Sequence, residues 1–181
     1  MEMVIAAGLS ALVFAGIGVL LVGGMSTWIM GEAKVDAEST AELGIRTVTN
    51  ELRSAMLVTV DSNGLGLTYE LPAKDSSGNY VSPLVWDGVS RRFALANSTL
   101  YKSYGGSSFG VVTGVTLTDP LSPSGTGTYQ IFTPNAGAIT RQITVELVTV
   151  RDGVTSTAYN AKTNARNRET IYLRNVPQIS R

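Results

Sequence analysis

The chain has 181 residues, which is enough for one domain with a sizeable core or for a small domain with an appendage. Its 14 Lys and Arg balance its 14 Asp and Glu, so no global field attracts a polyanion and nucleic-acid binding is not predicted. The absence of Cys and His excludes disulfides, Cys/His zinc sites and nucleophiles that depend on His, so no catalytic residue, metal or cofactor is predicted.

The first element along the chain is an apolar run. Residues 3–31 are 29 consecutive residues without a formal charge, and the acid Glu2 precedes them. As a helix the run would extend roughly 44 Å, which exceeds the ~30 Å of a hydrocarbon core. A cleavable secretory signal would instead begin with basic residues and have a shorter apolar segment. The sequence therefore predicts a helix that is compatible with a membrane.

The helix is predicted to continue as an amphipathic segment without any intervening loop signal. Its apolar stripe consists of Val35, Ala41, Ile45, Val48, Leu52 and Met56. The opposite face carries Lys34, Asp36, Glu38, Glu42, Arg46 and Arg53. We therefore predict one helix to about Leu57, of which only the second half packs against a globular head. This interpretation divides the chain into a helix of residues 1–56 and a β-rich head of residues 57–181.

The head shows the composition of short antiparallel strands. It is rich in Gly, Ser, Thr, Asn and β-branched residues, and turn residues separate its alternating runs. Strands are predicted at residues 65–71, 93–104 in two pieces around Asn97-Ser98, 111–118, 128–132, 142–150 and 170–174. Two prolines and two glycines predict a loop at residues 119–127. The predicted fold class is α+β, with the helix packed on an antiparallel sheet.

These features together resemble the type IV pilin superfamily, which includes type IV pilus subunits and the pseudopilins of type II secretion. The resemblance begins at residues 1–7, MEMVIAA, where an acid heads the long apolar helix. The processed N-terminus of the family reads Phe-Thr-Leu-x-Glu, and Met1-Glu2 matches its last two positions, so we expect three residues and a short leader before Met1. The head, with LYK at 100–102 and YLRNV at 172–176, is loosely similar to J-type minor pseudopilins.

The resemblance implies partners, a location and a role for Glu2. A prepilin peptidase would remove the leader, and the pilus assembly machinery would draw the subunit from the inner membrane into a helical homo-oligomer at the cell surface. Glu2 would neutralise the N-terminal amine of an adjacent subunit, which fits the cost of an unpaired carboxylate in an apolar environment. Related pilins often lose helicity on assembly. Glycine lowers helix propensity, so we expect any melting near Gly16, Gly18, Gly23 and Gly24.

Other residues are candidates for contact between subunits or for modification. Small residues at spacings of four and three give the helix a smooth face for close packing, formed by Ala7, Ala11, Ala15 and Gly18. Acids of the helix could pair with arginines of a neighbouring subunit, and the residues concerned are Glu32, Asp36, Glu38, Glu42, Arg166, Arg168 and Arg174. Solvated charges with no partner are an equally open interpretation. Asn97-Ser98-Thr99 matches the N-glycosylation pattern, with Asn97 as acceptor.

Three functions remain open from the sequence. The leading hypothesis is a structural subunit that polymerises into an extracellular type IV pilus-like filament through its apolar helix. The second is a minor pilin or pseudopilin that primes or tips a pilus or pseudopilus. The third is a single-pass membrane-anchored binding module. No spacing of carboxylates or of Ser and Lys identifies a catalytic pair, so an enzyme is not predicted.

Overall fold

The computed structural model describes residues 2–119, 127–134, 141–151 and 163–174. One long N-terminal helix packs on antiparallel sheets in a type IV pilin-like architecture, which confirms the predicted α+β fold class. The helix α1 spans Glu2–Leu52. The strands are β1 (Leu57–Val60), β2 (Gly66–Pro72), β3 (Trp86–Ala96), β4 (Thr99–Tyr104), β5 (Ser107–Thr113), β6 (Thr118–Asp119), β7 (Gly127–Thr128), β8 (Phe132–Pro134), β9 (Gln142–Val150) and β10 (Asn164–Tyr172).

The strands form two main sheets that meet beside β9. One sheet has five strands in the order β1-β2-β3-β4-β5, a second has three in the order β10-β9-β8, and β6 pairs with β7. The segment after β5 joins the two main sheets, because the amide of Val150 donates to the Gly114 carbonyl at 2.8 Å and the amide of Thr116 to the Val148 carbonyl at 2.9 Å. The second half of α1 packs against β5, β9 and β10, across this junction.

A single core lies between α1 and both sheets. The helix contributes a buried face made of Ala37, Ala41, Gly44, Ile45, Val48, Thr49 and Leu52. The largest fully buried side chains of the strands include Tyr69, Phe93 and Phe132, and the rings of Tyr69 and Phe93 stack with centroids 5.2 Å apart. Burial of this apolar area is the main stabilising contribution to the head, and it fixes which face of α1 lies against the sheets.

The helix ends five residues before the predicted boundary at Leu57. Its last turn closes with the amide of Ala55 donating to the Leu52 carbonyl at 3.0 Å, and the next amide, of Met56, already donates to Glu70 in β2 at 2.9 Å. The β-branched sequence of β1 favours a strand, and Met56 and Val58 remain buried in that conformation. The predicted stripe also began too early, because Val35 is 66% exposed and the head first covers α1 at Ala37.

Local alternation predicted some strands better than others. The prediction of residues 142–150 coincides with β9, and the break at Asn97-Ser98 is a two-residue turn in which both residues have positive φ, 47° and 57°. β10 begins at Asn164, six residues before the predicted residue 170. The prediction missed these residues because Arg166 and Arg168, at outward positions of the strand, resemble loop residues in the sequence. Of the loop predicted at 119–127, residues 120–126 lie outside the described residues, and its two ends belong to β6 and β7.

Candidate functional site

The part of α1 before Ala37 forms the most apolar exposed surface of the described chain. Large side chains are exposed all round this part of the helix, with Met3 88%, Phe14 72%, Leu20 77% and Trp28 76% exposed. The most apolar 18-residue window of the helix has a mean hydropathy of 2.5, and no part of that window is buried. By length and composition, α1 is able to cross a membrane.

The predicted small-residue face is continuous in the structure. Ala7, Ala11, Ala15 and Gly18 are all exposed on an unbroken helix, and at 100° per residue they fall within about 80° of one another. A Cβ added at Gly18 would meet no atom within 4 Å. No contact within the described chain therefore requires a small residue at that position, and a neighbouring helix would account for it.

The four glycines predicted to mark a melting region are helical here. Gly16, Gly18, Gly23 and Gly24 lie in the middle of α1, and a Cβ at any of them would meet no atom within 4 Å. The hydroxyls of Ser26 and Thr27 both donate to the carbonyl of Gly23, at 2.9 Å. Melting on assembly stays a prediction. Glu2 is the first residue of α1, and its side chain lies outside the described residues, so its pairing role also stays a prediction.

Most of the charges predicted to act between subunits have partners within the chain. The ion pairs are Lys34–Glu38 at 3.9 Å, Asp36–Arg151 at 2.5 Å, Glu42–Arg46 at 2.5 Å, Arg168–Glu146 at 3.7 Å and Arg166–Glu146. Within the described residues, Glu32 and Arg174 make no side-chain hydrogen bond or ion pair. These two residues are therefore the predicted charges left open to a neighbouring subunit. Asn97 is exposed in the β3–β4 turn, where an acceptor asparagine would be accessible.

A cluster that the sequence did not reveal fixes the point where α1 leaves the head. The Thr149 hydroxyl donates to the carbonyl of Ala37 at 2.7 Å, in a fully buried position. The Arg151 guanidinium binds the Asp36 carboxylate at 2.5 Å and the Thr40 hydroxyl at 3.1 Å. We call these contacts the exit clamp. Its partners are more than a hundred residues apart along the chain, so no local sequence pattern could indicate it.

A cleft of about 410 Å³ lies at the other end of the packed half of α1. The residues that line it are Asn50, Glu51, Ser54, Leu71, Pro72, Lys74, Tyr80, Asp87 and Arg91. They come from α1, the turn that follows it, β2, β3 and the connection between these two strands. In the sequence, most of them have no pattern that distinguishes them from other surface residues. The sequence therefore gave no indication of the cleft.

Two charged networks hold the walls of the cleft. Arg91 binds the Asp87 carboxylate with two parallel hydrogen bonds, from Nη1 to Oδ1 at 3.1 Å and from Nη2 to Oδ2 at 2.6 Å. This pairing lowers the pKa of Asp87 and raises the pKa of Arg91. Glu51 accepts hydrogen bonds from the Tyr69 hydroxyl and the Lys102 ammonium. Burial, reinforced by the bond to Glu51, raises the pKa of Tyr69 far above its usual value. The bonds from Arg91 favour the ionised form of Asp87, and both networks fix the orientation of their carboxylates.

Comparison with known proteins adds no relative. No protein-family model matches the chain, and neither a search of curated proteins nor a search of solved structures finds a match.

Proposed function

We propose that this chain is a pilin-like structural subunit that polymerises into an extracellular type IV pilus-like filament through its N-terminal helix. The observation that carries the proposal is the exposure of the large apolar side chains described along residues 3–31 of α1. The first buried residue described in the helix is Ala37, beyond that run. Exposed apolar area costs roughly 25 cal/mol per Å² in water, so such a helix needs a lipid or protein environment.

Two environments would cover this helix at different stages. The inner membrane would hold the apolar part of α1 before assembly, with the head on the outer side. In a filament the same surface would pack against the helices of other copies, and the smooth face of Ala7, Ala11, Ala15 and Gly18 would allow close approach. The prepilin peptidase and the assembly machinery of such filaments are the partners that this proposal requires.

The position of Glu2 allows a direct test of assembly. Glu2→Ala should leave the subunit in the membrane fraction and lower the yield of filaments sheared from the cells, since the N-terminal amine of a neighbour would lose its partner. Met3→Ala truncates the adjacent side chain without removing a charge, so its filament yield should stay close to that of the parent chain. An unchanged yield in Glu2→Ala would remove this carboxylate from the mechanism.

Electron microscopy and mass spectrometry of sheared filaments test the function itself. We expect thin filaments in which this chain is the main component. A trace amount in such filaments would instead favour the minor pilin or pseudopilin, which primes or tips the polymer. Absence from every filament fraction would favour a single-pass membrane-anchored binding module, and the cleft beside α1 supports that alternative.

A further inference from the structure

One edge of the Arg91 guanidinium is left without an acceptor. A guanidinium carries five N–H donors in a fixed planar fork. Asp87 takes one hydrogen from each terminal nitrogen, and the carbonyl of Val89 takes the second hydrogen of Nη1 at 2.9 Å. The Nε–H and the second Nη2–H form the other edge of the fork, and no residue in the described ranges accepts from them. Two parallel donors of this kind match the two oxygens of a carboxylate or phosphate.

A second cation in the same cleft, Lys74, has no anionic partner among the described residues. The Lys74 ammonium lies 5.3 Å from the centroid of the Tyr80 ring, and no carboxylate of the described chain is within ion-pair distance of it. The two acids of the cleft are already engaged, Asp87 by Arg91 and Glu51 by Lys102. The cleft therefore offers open cationic donors from Arg91 and Lys74.

We infer that this cleft binds a small molecule through a carboxylate or phosphate group. The free edge of Arg91 would hold two oxygens of that group, and Lys74 would add a second positive charge. Leu71, Pro72 and the Tyr80 ring give the rest of the ligand an apolar wall. The volume of about 410 Å³ lies within the range of roughly 300–1,000 Å³ that is usual for small-molecule sites. Asp87 acts as a positioning residue, because it fixes the plane of the guanidinium.

The position of the cleft favours a soluble anion over a lipid headgroup. Asn50, where the helix meets the cleft, is 19 residues beyond Gly31, the last residue of the uncharged run. At the rise of an α-helix this separation is roughly 28 Å, so the cleft would lie well above the surface of a membrane that holds the run.

The binding experiment uses the full chain in detergent micelles, with inorganic phosphate and benzoate as probes. We expect saturable binding of both by titration calorimetry, with benzoate binding more tightly because its ring reaches the apolar wall. Arg91→Lys keeps the charge beside Asp87 but loses the fork, so it should weaken benzoate binding about tenfold. Lys74→Gln, at an exposed position where folding is not at risk, should weaken binding of both anions several-fold.

Lys34→Gln is the matched control, since it removes a lysine charge from the exposed face of α1, and its affinities should equal those of the parent chain. The inference would be overturned if neither anion saturates the parent chain at concentrations up to about 10 mM, since a Kd above that concentration is too weak to be useful. Equal affinities in the parent chain and Lys74→Gln, or NMR shifts that map outside the cleft, would overturn it as well. None of these outcomes would affect the filament proposal, which rests on the apolar part of α1.

Discussion

Gly44 sets the distance between α1 and the sheets beneath it. A Cβ at this position would lie 2.0 Å from Cγ2 of Val112 and 3.2 Å from Cδ1 of Leu147. Gly44→Ala should therefore destabilise the head by about 1–3 kcal/mol through overpacking, a cost larger than the gain in helix propensity of about 1 kcal/mol. Thermal unfolding of the full chain in detergent, followed by circular dichroism, measures the loss.

Gly31 offers a matched control for this substitution on the same helix. A Cβ added at Gly31 meets no atom within 4 Å, so Gly31→Ala should cause no loss of stability. If Gly44→Ala and Gly31→Ala unfolded at the same temperature, α1 would be able to move away from Val112 without cost, and the close packing would not be a constraint.

The Asp87–Arg91 pair should make stability depend on pH in the acid range. The hydrogen bond from Arg91 lowers the pKa of Asp87 in the folded state below the unfolded value of about 3.9. A lowered folded-state pKa contributes stability above the unfolded pKa, and this contribution is lost as the pH falls through the folded-state pKa. Asp87→Asn removes the contribution. The stability gap between the parent chain and Asp87→Asn, from urea unfolding, should be largest near about pH 6 and shrink below about pH 4. A gap that stays constant into this range would contradict the assignment.

At the scale of elements, the sequence predicted what depends on local periodicity. Ile143, Val145 and Leu147 of β9 are buried as their alternation predicted, and the stripe of Ala41, Ile45, Val48 and Leu52 is buried as its helical spacing predicted. The half-buried pattern predicted for β9 was wrong in its second half, where Glu146 and Val148 on the other face are buried too. The end of α1 depends instead on pairing between Met56 and Glu70, and the start of β10 is disguised by arginines on its outward face. Neither of these features has a local signature.

The candidate sites divide in the same way. The apolar part of α1 is evident in the sequence because 29 uncharged residues follow one another, and its exposure in the structure agrees with that prediction. The exit clamp and the cleft each combine side chains from separate segments, so their residues acquire a meaning only when the fold brings them together. The sequence did not distinguish Glu32 and Arg174 from the other candidate charges between subunits. The structure does, because the other candidates are already paired within the chain.

The exit clamp should hold the helix backbone where α1 leaves the head. Arg151→Gln removes the charge that binds Asp36, and we expect faster amide hydrogen exchange from Ala37 to Ala41, by about fivefold for a loss of about 1 kcal/mol. Arg46→Gln is the matched control. Arg46 pairs with Glu42 on the exposed face, where such a pair contributes only a few tenths of a kcal/mol, so exchange there should hardly change. Equal effects of the two variants would mean that the clamp does not hold the helix.

At the scale of the whole molecule, a head of moderate size carries a helix about three times as long as the part of that helix that packs on the head. Most described side chains before Ala37 are exposed, and residues 37–52 have one buried face. Contact with water disfavours so much exposed apolar area, so a lipid or protein environment would stabilise this part of α1. The exit clamp lies at the boundary between the two parts, so forces on the protruding helix would reach the head through Asp36 and Ala37.

The two environments proposed for the helix, a membrane and a filament, favour different residues on its surface, and one pair of substitutions distinguishes them. A membrane accepts a large apolar residue on any face, whereas close packing between helices requires small residues on the packed face. Ala11→Leu places a large side chain on the smooth face. Ala6→Leu makes the same change outside that face, about 100° from Ala7 around the helix. Both positions are exposed, so neither substitution should disturb the head.

Both variants should reach the membrane fraction at the level of the parent chain. The yield of sheared filaments, measured by immunoblot and electron microscopy, should fall several-fold in Ala11→Leu and little in Ala6→Leu. Equal yields from the two variants would mean that the smooth face does not pack in the filament.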